Sequence, residues 1–143
     1  MQNYKNHIRF YPAHHFIFYP IAGFLFAFAI RKAFVDEANA TLWFFAAALV
    51  FMIGWLSFMV RQHYGMTTQN RVVVLEMRHR YYVLTNKRLE PLEEKLSFGQ
   101  IAALRFASDE ELPALVQRTL AENLAPKTIK ESITNWLPDH KRI

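Results

Sequence analysis

The sequence predicts an all-α protein: a membrane helical hairpin of two transmembrane helices, followed by a cytoplasmic tail of several amphipathic helices. Three observations predict it. The first half of the 143 residues carries two long apolar runs. Of the 22 aromatic residues, 17 fall between Tyr4 and Tyr64. The second half carries most of the charge, and its apolar residues recur at spacings of three and four. A mean hydropathy of +0.00 averages these unlike halves and hides both. The expected domains are an interfacial segment at 1–15, a transmembrane hairpin at 16–64 and a cytoplasmic helical region at 65–143.

The opening segment is rich in aromatic and basic residues, with Tyr4, Lys5, Arg9, Phe10 and Tyr11 before Pro12. Such a composition suits headgroup level, where rings and cations meet anionic phosphates. The first apolar run, Phe16 to Ile30, has fifteen uncharged residues. That is short for a span unless His14, His15, Arg31 and Lys32 snorkel at its ends. A cleavable signal is disfavoured, because the run ends in Arg31-Lys32 and bulky Phe34 rather than small residues. Pro20 sits about one turn into this helix, where a missing N–H is tolerated.

The second run, Thr41 to Val60, has twenty residues without a charge, and at about 1.5 Å per residue it makes roughly 30 Å of helix. About ten residues separate the runs, so the helices are antiparallel and the connection barely leaves the headgroup layer. Lys5, Arg9, Arg61, Arg71, Arg78 and Arg80 flank the hairpin, against Arg31 and Lys32 in its link. That excess places both termini in the cytoplasm. Trp43, Tyr19 and Tyr64 suit the interfacial aromatic belts. Gly23 with Ala27, and Ala47 with Gly54, are the small residues expected to let helices approach, within the hairpin rather than between copies.

Neither run contains Asp, Glu, Lys or Arg, and Thr41 and Ser57 are the hydroxyls of the second. A channel or transporter usually places polar groups at depth, so transport by one chain is disfavoured. His7, His14, His15 and His63 come to one membrane face in a hairpin. Imidazoles bind metal or haem, yet no HxxxH or HExxH spacing supports such a site. The expected cofactors and metals are therefore none. The absence of cysteine removes disulfide, thiolate-zinc, iron–sulfur and cysteine-nucleophile chemistry. A net charge of +5 beside apolar spans points to anionic lipid rather than nucleic acid.

Beyond Val60 the helix is expected to continue, with Gly65 as a weak point, into Arg71–Leu84. There Val74, Met77, Tyr81 and Leu84 form one face and Glu76 pairs with Arg80 at i,i+4. A strand reading of Val72–Val74 is set aside for want of further alternating segments. Glu90-Pro91 is expected to break the helix. Ser97 with Gln100 reads as a capping box opening a short helix. Ser108 with Glu111 reads as a second box, with Asp109, Glu110 and Glu111 complementing the next helix's dipole. Leu112, Leu115, Val116, Leu120 and Leu124 give that helix its buried face, and Pro126 opens a last helix carrying Ile129 and Ile133.

Several segments carry a resemblance: QNYKNHIRFYPAHHFIFYP at 2–20, QNRVVVLEMRHR at 69–80, IAALRFASDEELPAL at 101–115 and the closing NWLPDHKRI. Together they resemble a family of short bacterial membrane proteins known as a domain of unknown function. The resemblance implies a two-span protein of the bacterial inner membrane with a cytoplasmic tail. It implies no activity and supplies no functional residues. With no phosphate loop, nucleophile elbow or paired carboxylates, the expected function is a non-enzymatic membrane scaffold or accessory subunit. Its cytoplasmic helices would dock on another membrane protein or on a second copy. The alternatives are a homo-oligomeric pore and an anionic-lipid binder using Lys5, Arg9, Arg61 and Arg78.

Overall fold

The computed structural model describes residues 3–5 and 11–139. The described residues are helical, with no strand longer than an isolated bridge between Ala107 and Trp136. They fall into two compact units. One comprises residues 11–66; the other comprises 67–139 with 3–5.

In the first unit, a wide π-helical stretch, Ala13–Phe18, runs directly into α1, Tyr19–Val35. The ladder shifts by one residue here, and Tyr19 N–H reaches back five residues to the His14 carbonyl. The shift precedes Pro20, which has no N–H to offer, so the wider turn lies where the α-helical ladder is interrupted anyway. The helix from Ala13 to Val35 extends past both ends of the apolar run at 16–30 and reaches 23 residues. α1 stops at Asp36, whose backbone leaves the helical region (φ −104°, ψ 81°). The Asp36 carboxylate accepts from Asn39 Nδ2 at 3.2 Å and from Trp43 Nε1 at 3.1 Å. This ties the short 3₁₀ turn Glu37–Asn39 to the first turn of α2, Ala40–Met59.

α1 and α2 pack along each other, with ring contacts between them. Phe34 meets Phe44, Phe28 meets Trp43, and Phe26 meets Phe51. The buried residues of the seam are Ala29 and Ala33 on α1 and Ala47 on α2. Alanine at i and i+4 lets backbones approach closely, which is how apolar helices associate without a large side-chain core. Gly23 and Ala27 are exposed and lie outside this seam. A Cβ added at Gly23 or Gly54 would meet nothing within 4 Å. The packing expected of the Gly23–Ala27 pair is therefore carried one to two turns later, by Ala29 and Ala33.

Helix continues unbroken from Glu37 to Thr85. A second π-helical stretch, Val60–Gly65, joins α2 to α3, Met66–Thr85, with Met66 N–H reaching back five residues to the Arg61 carbonyl. Gly65 ends a widened turn rather than weakening the helix. α3 ends where Asn86 adopts a left-handed φ of 54°, a conformation Asn tolerates.

In the second unit Met77 and Tyr81 are buried, with Val74 and Leu84 packed beside them. Glu90-Pro91 opens a short α4, Glu90–Glu93, instead of merely ending the preceding helix, because proline is well placed in a first turn. Ser97 and Gln100 form a reciprocal capping box at α5, Phe98–Leu104. Buried Gln100 also donates to Asn123 Oδ1 and the Leu124 carbonyl at the end of α6, Leu112–Glu122. The final helix is α7, Pro126–Ser132, packed on α5.

The second capping box does not form. Leu112 begins α6 with Glu111 as its cap residue, and no side chain caps it. The three carboxylates are used elsewhere. Asp109 pairs with Arg80, Glu110 accepts from its own backbone N–H, and Glu111 accepts from the backbone N–H groups of Thr134 and Asn135. The Glu76–Arg80 pair is also replaced: Arg80 turns to Asp109 and to the carbonyls of Arg105 and Ala107. A half-buried guanidinium gains more from three acceptors on a folded loop than from one solvated carboxylate on its own helix.

Candidate functional site

Among the side chains expected to act, His14, His15 and Arg61 come together in the first unit. They line a groove of about 660 Å³ with Tyr11, Phe18, Ile53, Leu56, Ser57, Val60 and Gly65. One wall is the π-helical lead-in and the other is the end of α2 with the second π-helical stretch. A widened turn re-aims the side chains it carries, and such turns are frequent at functional positions. Here two of them face one groove.

The histidines are held by packing. The His14 ring stacks on Phe18 at 5.6 Å between centroids and meets Tyr19 edge-on at 4.6 Å. Its Nε2 is buried without a hydrogen-bond partner. His15 lies 5.5 Å from His14, and its Nδ1 donates to the Tyr11 carbonyl at 3.0 Å, since a carbonyl only accepts. Arg61 is exposed and forms no ion pair among the described residues. No Asp or Glu is among the groove's lining residues. The groove is therefore apolar along its length, with a cation, two imidazoles and two hydroxyls.

The other expected residues are placed differently. Lys5 is exposed and belongs to the second unit, where its backbone N–H donates to Asn3 Oδ1. Arg9 and His7 lie outside the described residues. His63 is exposed and does not line the groove. Arg78 is clamped by Glu93 through two bonds of 2.7 and 2.6 Å, a fork-on-carboxylate geometry. No group of three His or carboxylate side chains able to hold a metal occurs among the described residues. Gly23 and Gly54 share a separate apolar groove of about 430 Å³ with Phe26, Phe51, Trp55 and neighbouring residues.

The opening and the FASDEELPAL segment, on which the resemblance rested, are accounted for by one further finding. A family model matches residues 1–143, the whole chain. The chain belongs to DUF6526, a family of unknown function. No curated protein and no solved structure matches it. Membership in DUF6526 assigns no role to any residue, so the groove is interpreted from its own chemistry. Tyr11 and Asp36 were the signals sequence reasoning missed. The aromatic and basic opening places Tyr11 only at headgroup level, yet it lines the groove, and Asp36 ties the link to α2 through Asn39 and Trp43.

Proposed function

We propose that this member of DUF6526 is a non-enzymatic integral membrane protein that anchors a compact helical domain at the cytoplasmic face of a bacterial inner membrane. There it serves as a scaffold or accessory subunit for another membrane protein or for a second copy of itself. On this reading the first unit is a transmembrane hairpin with both termini in the cytoplasm, and the second is the presented domain.

One observation carries the reading. Only 6% of the most apolar 18-residue window of each long helix is buried, leaving Phe24, Phe45, Leu49 and Leu56 among many large apolar side chains that face outward. A core helix of a water-soluble protein buries such a stretch, whereas lipid accepts it. The contrast with the second unit supports the same division. That unit closes its own apolar core, and its charges are largely engaged with one another in Arg78–Glu93, Arg80–Asp109 and Arg105–Asp139. Side chains paired in this way hold a domain together and leave few ionisable groups aimed at a cleft.

The absence of native cysteine makes the test direct. Single cysteines at Asn39→Cys and Glu131→Cys, treated in intact cells with a membrane-impermeant maleimide, are expected to label at 39 alone. Glu131→Cys is expected to label once the membrane is opened. Equal labelling at both positions in intact cells refutes the topology. Native mass spectrometry in mild detergent then reads the partner: a defined second polypeptide or an integral multiple of this chain supports the scaffold reading, and a lone monomer counts against it.

A further inference from the structure

We propose that the groove between the two π-helical stretches binds one anionic phospholipid, with Arg61 holding the phosphodiester and the α2 side of the groove carrying an acyl chain. The inference rests on the transmembrane reading above and adds a specific ligand to it.

Three features of the groove converge. First, the groove is amphiphilic in the order a lipid requires. Leu56 and Ile53 continue into the α2 helix as apolar wall, while Arg61 and the Tyr11 hydroxyl supply donors toward the end of the span. Arg61 follows Val60, the last residue of the uncharged run, which is the depth at which phosphates lie in a bilayer. Second, Arg61 has no carboxylate partner, unlike Arg78, Arg80 and Arg105 in the other unit. A guanidinium with an unfilled fork beside an apolar wall is matched by a phosphodiester. Third, no carboxylate lines the groove to receive a headgroup ammonium. A zwitterionic lipid would bring its positive charge to a site that already holds Arg61, so the preference is for a headgroup with net negative charge.

The second π-helical stretch adds independent support. The first is explained locally by Pro20, but Val60–Gly65 contains no proline, and Gly65 is not required sterically, since a Cβ there would sit 3.9 Å from the Val60 carbonyl oxygen. A widened turn costs hydrogen-bond quality without local cause, and its effect here is to set Val60, Arg61 and Gly65 along the same groove.

The experiment uses the full chain, wild type and Arg61→Gln, after fractionation has established whether each resides in the membrane. Each is purified in mild detergent and offered phosphatidylglycerol or phosphatidylcholine in mixed micelles, with bound lipid counted by native mass spectrometry. Wild type is expected to retain one phosphatidylglycerol in preference to phosphatidylcholine. Arg61→Gln is expected to lose about fivefold or more in that retention, the scale of one arginine at a membrane phosphate. Arg61→Lys is expected to keep part of it, and Arg31→Gln, near the far end of α1, all of it; both also report that the fold survives. Equal retention by wild type and Arg61→Gln, or no preference between the two lipids, overturns the proposal while leaving the membrane reading intact. Displacement by inorganic phosphate alone overturns it in favour of a soluble anion. Recovery of wild type in the soluble fraction overturns both readings together.

Discussion

Arg80 ties α3 to the loop after α5 in the second unit. Its side chain is 13% exposed, and its guanidinium donates to Asp109 at 2.6 Å and to the carbonyls of Arg105 and Ala107 at 3.0 and 2.6 Å. Arg80→Ala leaves those two carbonyls without their donor, and the expected loss is about 2–3 kcal/mol in a denaturant titration of the full chain. Asp109→Asn tests which partner matters. Asp109 is 60% exposed, so its removal is expected to cost under about 1 kcal/mol. A larger loss from Asp109→Asn than from Arg80→Ala would show that the ion pair, rather than the carbonyl bonds, holds the loop after α5. Glu110 gives a pH prediction. Its own backbone N–H holds the carboxyl below the ordinary glutamate value of 4.5, and Glu90 is lowered likewise, first by the Arg88 guanidinium. A depressed folded-state value contributes stability that is present above the unfolded value and lost as pH falls through the folded one. The denaturation midpoint of the second unit is therefore expected to fall on acidification below about pH 4.5, and to fall less steeply in Glu90→Gln and Glu110→Gln. A midpoint that is flat from neutrality to pH 3 would contradict this.

Elements differ in how they are held. α6 is strongly one-sided, with Leu112, Leu115, Val116 and Thr119 buried, and it is capped at its far end by left-handed Asn123. Leu112 is fully buried, and Leu112→Ala is expected to cost about 2–4 kcal/mol through lost contacts and an unfilled cavity. α1 and α2 present the opposite case, since the buried residues of their seam are alanines. Ala29→Leu and Ala47→Leu would push the helix backbones apart and are expected to weaken the α1–α2 pairing, read as a lower transition temperature in detergent. Gly23→Ala and Gly54→Ala meet open space and are expected to leave that transition unchanged or slightly raised, because alanine favours helix over glycine by up to about 1 kcal/mol. If these two substitutions lower it instead, another chain occupies their groove.

At the scale of the whole molecule, the division into two units, with the hydrophobic core cluster in the second, predicts two thermal transitions followed by circular dichroism. Leu112→Ala is expected to shift the one that belongs to the second unit and leave the other in place. A single transition that moves as a whole would mean that the two units unfold as one.

Much of this architecture is legible in one dimension. Charge-free runs of span length determine two long outward-apolar helices, because lipid-compatible helix follows from length and composition without any partner. The face of Met77 and Tyr81, the capping box of Ser97 and Gln100 and the buried side of α6 follow from spacings of three and four, which are local properties of a helix. What only the tertiary structure decided are the pairings between segments distant in sequence. The acidic run at 109–111 has the spacing of a helix start, yet its carboxylates serve Arg80 and the 134–135 backbone, because buried donors must be satisfied wherever the fold places them. The alanine seam and the meeting of His14, His15 and Arg61 in one groove have the same origin. Helix rotation and two shifts of hydrogen-bond register set which side chains face one another, and neither is written in the spacing of the residues.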